Sequence, residues 1–172
     1  MSGAGARLFI AINFNYETRS RLVGLRDELR RQSRRGNFSL AENLHLTLVF
    51  VGDCDAKQTF AIKIAMDKAV FEPFEMKIGR VGCFRRDGGD IWWAGVDENE
   101  PLSSLQQELT ESLSGLGFAV DKRKYSPHIT LGREVVTEAA PWRIKPFGET
   151  VHKINLMKSE RVGGKLTYAS IY

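Results

Sequence analysis

Apolar and polar positions follow two rhythms along this chain. In "RLFIAINF" (7–14) the apolar residues crowd into a strand-length run, and in "NYETRSRLVGLRDELRRQ" (15–32) Leu22, Leu25 and Leu29 recur at helical spacing, which predicts a strand and then an amphipathic helix. The polar stretch "SRRGNFSLAEN" (33–43) reads as a loop. It leads to a second strand, "LHLTLVFVG" (44–52), and a second amphipathic helix, "DAKQTFAIKIAMDKAVF" (55–71). "FEMKIGRVGCF" (74–84) and "DIWWAGVDE" (90–98) flank "RRDGG", whose Asp87-Gly88 pair is a hairpin signal. A third helix is predicted from an Asn99 cap, with Pro101 in its first turn and a stop at Gly115 or Gly117. Beyond it the basic loop "DKRKYSP" (121–127) runs into the strand "HITLGR" (128–133), and "ETVHKINLMKSERVGGKLTYASIY" (149–172) reads as a hairpin turning at Gly163-Gly164. Helices interleaved with antiparallel pairs make the class α+β.

Composition narrows this without changing it. With 172 residues, 42% of them hydrophobic, the chain can bury one sizeable core, so a single domain is expected over residues 1–172, and fibrous or disordered classes are excluded. A net charge of +4 gives the surface a mild preference for anionic partners such as phosphates. The two cysteines, Cys54 and Cys83, form no CxxC pair and are too few for a disulfide framework, which fits a reducing compartment and points to the cytoplasm. The N-terminal "MSGAGARLFIAINF" carries no export signal, and no apolar run reaches the length of a membrane span.

The candidate chemistry lies in a repeat. "NLHLTLVFVG" (43–52) and "YSPHITLGR" (125–133) both contain His-x-Thr-Leu. On a strand, residues two apart share a face, so His45 and Thr47 lie opposite Leu44, Leu46 and Leu48, and His128 and Thr130 lie opposite Ile129 and Leu131. Among three His and eight Thr, two such pairs arise by accident with a chance of only about 0.007, so a shared cause is favoured over two unrelated strand histidines. A neutral imidazole takes a proton and an imidazolium gives one, both near neutral pH, so two facing histidines can act as base and acid in one displacement. Threonine hydroxyls can hold the non-bridging oxygens of a phosphoryl group. That equipment suits in-line phosphodiester cleavage with no metal and no other cofactor. Rival chemistries lack their residues: there is no HExxH and no GxSxG, and Asp53 and Asp55 read as cap or surface positions.

With these motifs the chain resembles the bacterial and archaeal RNA 2',3'-cyclic phosphodiesterases, also called 2'-5' RNA ligases, of the 2H phosphoesterase superfamily. The resemblance runs through "RLFIAI", "ENLHLTLVFVG", "IWWAGV", "KYSPHITLGR" and "LMKSE". It implies two pseudo-symmetric lobes, each an antiparallel sheet backed by helices, with one His-x-Thr from each lobe facing a cleft. It also implies hydrolysis of a 2',3'-cyclic phosphate to a 2'-phosphate, with a reversible 2'-5' joining activity in family members. Carried over, His45 is the proton donor to the departing 3' oxygen, His128 is the base that activates water, and Thr47, Thr130 and Arg133 are the substrate-binding residues. The implied partner is RNA with a 2',3'-cyclic phosphate end, or a small cyclic nucleotide, met by a monomer without an obligate protein partner.

Two departures from the family pattern stand out: Asn15 where a proline often closes the first strand, and Gly132 where the second motif commonly has alanine. Strict alternation gives Arg133 no clear face, while the family's arginine at this place favours a phosphate. Tyr125 and Phe9 are candidates for a base pocket or for the core, and Trp92 and Trp93 are expected on opposite faces. "RDELRRQSRRG" (26–36) reads as a solvated helix face, and His152, with no threonine beside it, as a surface strand residue. A non-catalytic binder of nucleotides or RNA ends is the alternative function; two intact, titratable motifs favour the enzyme.

Overall fold

The structure is a computed structural model and describes residues 5–172, so the N-terminal reading above lies in part outside the described residues. Among the described residues nine strands and three α-helices follow one another as β1 (Ala6–Ile12), α1 (Tyr16–Arg31), β2 (Ser33–Phe38), β3 (Leu46–Cys54), α2 (Ala56–Lys68), β4 (Phe74–Phe84), β5 (Asp90–Val96), α3 (Glu100–Gly115), β6 (His128–Thr137), β7 (Trp142–Val151), β8 (Asn155–Val162) and β9 (Lys165–Ser170). Two antiparallel sheets result, one ordered β3-β1-β8-β9 and the other β2-β6-β5-β4-β7.

Each helix starts where a side chain can satisfy its first free N–H groups. Asn15 accepts from Thr18 N at 2.9 Å and caps α1. The residue that departs from the family pattern therefore closes β1 by starting the next helix. Asp55 and Gln58 form a reciprocal capping box on α2, and Asn99 caps α3 with Pro101 in its first turn. Leu22, Leu25 and Leu29 of α1 are buried, as their spacing requires; the helix packs against β2, β6 and β7, while α2 and α3 lie against β3. Apolar side chains from both sheets and all three helices join one core that includes Leu8, Ile10, Leu46, Met76, Trp92, Leu109 and Ile129.

Two stretches differ from the sequence reading. Residues 33–38, expected in a loop, form β2, which pairs with β6 at the edge of the five-stranded sheet. All but its terminal residues are exposed, so no apolar alternation marks it, and Arg34 and Arg35 give the edge the charge that discourages pairing with another chain. The arginine-rich run 26–36 is accordingly helix only as far as Arg31 and strand beyond. The C-terminal hairpin turns at Gly163-Gly164 as expected but begins at Asn155; residues 149–151 belong to β7, which pairs with β4 in the other sheet. Pro146 interrupts β7, and only Phe147 and Val151 are fully buried along it, which hides it from a pattern search.

Candidate active site

Strands β3 and β6 approach each other where the two sheets meet, and each carries one His-x-Thr. Leu44, Leu46 and Leu48 are buried behind the first motif, and Ile129 and Leu131 behind the second, leaving His45, Thr47, His128 and Thr130 half-buried on the other face. His45 stands at the mouth of β3 and His128 is the first residue of β6.

Both imidazoles are tethered in the same manner. His45 Nδ1 lies 2.6 Å from the carbonyl of Asn43, and His128 Nδ1 lies 2.7 Å from the carbonyl of Ser126, in each case two residues back. A carbonyl only accepts, so Nδ1 carries the proton on both rings and Nε2 is the nitrogen left for chemistry. His45 Nε2 meets Thr47 Oγ1 at 3.0 Å. The tethers are themselves held: the Asn43 side chain donates to Leu166 O at 2.8 Å, and Pro127 keeps Ser126 extended, so its carbonyl turns back to the ring. Aromatic rings flank each histidine, Phe9 at 4.9 Å and Tyr168 at 5.0 Å from His45, Phe84 at 5.1 Å and Trp93 at 6.4 Å from His128. Phe9 thus packs beside His45, and of the tryptophan pair Trp92 is fully buried while Trp93 shares the side of His128.

The proton affinity of His45 is held below the ordinary histidine value, chiefly by burial; the bond to Asn43 opposes this, and the positive charges of Arg133 and His128 add to it. Both cations come from the five-stranded sheet, so the two motifs act on each other's charge across the junction between the sheets. Arg133 also opposes the burial-driven rise of Tyr168. Its position follows from a bulge. Trp92 pairs with Gly132 and Trp93 with Thr130, which leaves Leu131 as an extra residue in β6. Leu131 and Gly132 are consecutive buried positions, and Arg133 emerges exposed on the side of the motif instead of alternating into the core. A Cβ on Gly132 would stand 3.1 Å from Phe38 Cδ1 and 3.0 Å from Val135 Cγ2, so glycine lets Phe38 close over the bulge.

Of the two places expected for it, Tyr125 takes the core, and it adds a bond across the site. Its ring packs on the core and its hydroxyl donates to the Thr47 carbonyl at 2.7 Å, tying the loop before β6 to the first motif's strand. Burial pushes that hydroxyl well above the usual phenol range, so it stays a donor. No pattern along the sequence reports such a bond between residues 78 apart. His152 is exposed and lines a groove of about 490 Å³ with Asn13, Glu149 and Asn155, which includes neither motif histidine. Among the described residues no three His, Cys, Asp or Glu side chains gather as a metal site, and no helix is long and apolar enough to cross a membrane. Cys54 and Cys83 are free thiols.

The sequence pattern of the 2'-5' RNA ligase superfamily matches residues 19–163. RNA 2',3'-cyclic phosphodiesterase of Archaeoglobus fulgidus is 31% identical over 151 residues, covering 83% of this chain and 84% of its own. That of Thermotoga maritima is 32% identical over 130 residues, covering 74% and 69%. Among solved structures, a phosphoesterase superposes with a TM-score of 0.82 at 26% identity over 98% of this chain and 96% of its own. Escherichia coli LigT, crystallised with 3'-AMP, gives 0.84 over 99% and 96%, and at 23% identity it speaks for the fold alone.

Proposed function

This chain belongs to the 2'-5' RNA ligase superfamily, and from that premise we propose how it works: it hydrolyses 2',3'-cyclic phosphodiester ends of RNA, with His45 as acid and His128 as base. The observation that supports a two-histidine acid–base pair is the matched tethering of the two rings, each with Nδ1–H on a backbone carbonyl and Nε2 left for proton transfer, from strands that meet, while the division into acid and base follows the family resemblance.

In the cyclic substrate one phosphorus bridges the 2' and 3' oxygens. His128 Nε2 takes a proton from water as the water oxygen bonds to phosphorus, and the P–O3' bond breaks in line as His45 Nε2–H protonates the departing oxygen. The product is a 2'-phosphate with a free 3'-hydroxyl, and the two histidines have exchanged protonation states. A 5'-hydroxyl in the place of water gives a 2'-5' linkage by the same steps, which accounts for joining. Thr47 and Thr130 hold the non-bridging oxygens, and Arg133 balances their charge. The depressed proton affinity of His45 fits this scheme. An anionic phosphate offsets the positive charge of Arg133 that helps to lower it, so substrate binding favours the protonated acid, and an acid held low gives up its proton readily.

The enzyme acts on RNA ends as a monomer in the cytoplasm, a reducing setting that suits its free cysteines. Incubation with a short RNA bearing a 2',3'-cyclic phosphate, in excess EDTA, tests the proposal. Formation of the 2'-phosphate is the expected result. A 3'-phosphate product, or activity lost to EDTA and restored by one divalent ion, contradicts the two-histidine scheme.

A further inference from the structure

An in-line displacement has two sides. The entering oxygen approaches phosphorus opposite the departing one, so with His45 on the 3' oxygen the cyclic nucleoside lies towards the four-stranded sheet, and whatever carries the entering oxygen stands on the side of His128 and the five-stranded sheet. Hydrolysis needs only water there.

The five-stranded sheet offers more than water needs. His128 pairs with Gly95, which pairs with Arg80, and Thr130 pairs with Trp93, which pairs with Gly82, so these residues and Phe84 share the face of the second motif. Trp93 and Phe84 are half-buried and take no part in the core that Trp92 joins. Two glycines make room for the indole: a Cβ on Gly82 would stand 2.5 Å from Trp93 Cη2, and one on Gly95 would stand 2.9 Å from Trp93 Cζ3, so the ring rests on the sheet. Phe84 lies 5.4 Å from the indole and edge-on to His128 at 5.1 Å. A guanidinium closes each end of the row, Arg80 at 5.4 Å from the centre of the Trp93 ring and Arg86 at 5.8 Å from that of Phe84, and both arginines are exposed. Aromatic faces with arginines beside them suit single-stranded RNA, whose bases stack on the rings while the cations follow its backbone.

We propose that this row binds the 5'-hydroxyl end of a second RNA strand, the nucleophile of 2'-5' joining. This rests on the phosphodiesterase reading above, with His128 as base, and deepens it. His128 Nε2 takes the 5'-hydroxyl proton as O5' bonds to phosphorus, the P–O3' bond breaks, and His45 Nε2–H protonates O3', which leaves a 2'-5' linkage and a free 3'-hydroxyl. The terminal base stacks on Trp93 and Phe84 and so holds O5' where water otherwise enters. Stacking tolerates any base, so the strand's sequence matters little.

The test supplies a 5'-phosphorylated RNA ending in a 2',3'-cyclic phosphate together with a short RNA bearing a 5'-hydroxyl, and measures the ratio of joined product to 2'-phosphate. Both products pass through the same two histidines, so the ratio is blind to a general loss of activity or of folded protein. Trp93→Leu is expected to lower it about tenfold or more, the scale of one lost base–aromatic stack, and Trp93→Tyr to keep most of it. Phe60→Leu, at an aromatic residue 65% exposed on α2, leaves it native. A strand whose 5'-terminal nucleotide is abasic is joined less well by the native enzyme and no worse by Trp93→Leu. Phe84→Leu gives the same reading where Trp93→Leu yields too little product to score. A native ratio in both leucine variants assigns the rings to the cyclic-end nucleoside or to the fold and overturns the proposal, as does a native enzyme that hydrolyses the cyclic end without joining. No turnover of the cyclic end by the native enzyme overturns the phosphodiesterase reading itself.

Discussion

Tyr125→Phe removes one oxygen atom and leaves the ring in the core, so its effects isolate the bond from the Tyr125 hydroxyl to the Thr47 carbonyl. A buried hydrogen bond contributes about 1 kcal/mol net, and losing one partner while the other stays buried costs about 1–3 kcal/mol. For a chain of this size 1 kcal/mol shifts Tm by about 2–4 °C, so a fall of roughly 2–12 °C is expected in a thermal melt. The bond also spans the two halves of the site, fixing the backbone of Thr47 relative to the loop that presents His128. Misplacement by as little as about 1 Å can cost on the order of 100-fold in rate, and partial loosening predicts a fall in kcat of about tenfold, measured on a cyclic phosphate well below Tm. Tyr16→Phe, at a residue 84% exposed, is the matched control and changes neither quantity. A Tyr125→Phe enzyme with native Tm and native kcat would show that the bond carries no load and that the halves are positioned by packing alone.

Three further outcomes are expected. His45→Ala and His128→Ala each lower turnover by about 10² to 10⁴, with His152→Ala close to native; a substrate with a more acidic leaving oxygen partly rescues only His45→Ala, and rescue of His128→Ala instead would exchange the roles. Burial, with Arg133 and His128, holds His45 below the ordinary histidine value of 6.5, so in the window between that lowered value and 6.5 the unfolded chain binds a proton that the folded chain does not. Stability therefore falls as pH drops through this window, and His45→Gln flattens the fall; denaturant titrations across pH that are identical for the two proteins would refute the assignment. Both sheets share one core, so calorimetry should record a single unfolding transition, and two resolved transitions would mean separable lobes.

The motif was legible because its strands are amphipathic: leucine and isoleucine at every other position set the phase, and the phase put histidine and threonine together. Arg133 was not, because one extra residue, Leu131, resets the alternation, and nothing in "HITLGR" announces a bulge. β2 escaped because an edge strand with charge on both faces has no period to detect. The caps of α2 and α3 were legible in advance at Asp55 and Asn99, since each depends on a side chain within three residues, whereas Asn15 stood out only as a departure from a proline and its capping of α1 was missed. Tyr125 and Tyr168 needed the tertiary pairing of distant strands, which local spacing does not contain.

The path of the chain between the sheets has a consequence for its synthesis. β1 is flanked by β3 and β8, and its Arg7–Ala11 ladder pairs with residues 155–159. A ribosome adds about 5–20 residues per second. The apolar edge of β1 therefore waits roughly 7 to 30 s after emerging before its second neighbour exists. Throughout that interval it offers unpaired backbone to any passing strand, and His45 lacks the Tyr168 ring that will flank it. Slowed translation of the last quarter should therefore raise aggregation of the nascent chain even though the finished fold is unchanged.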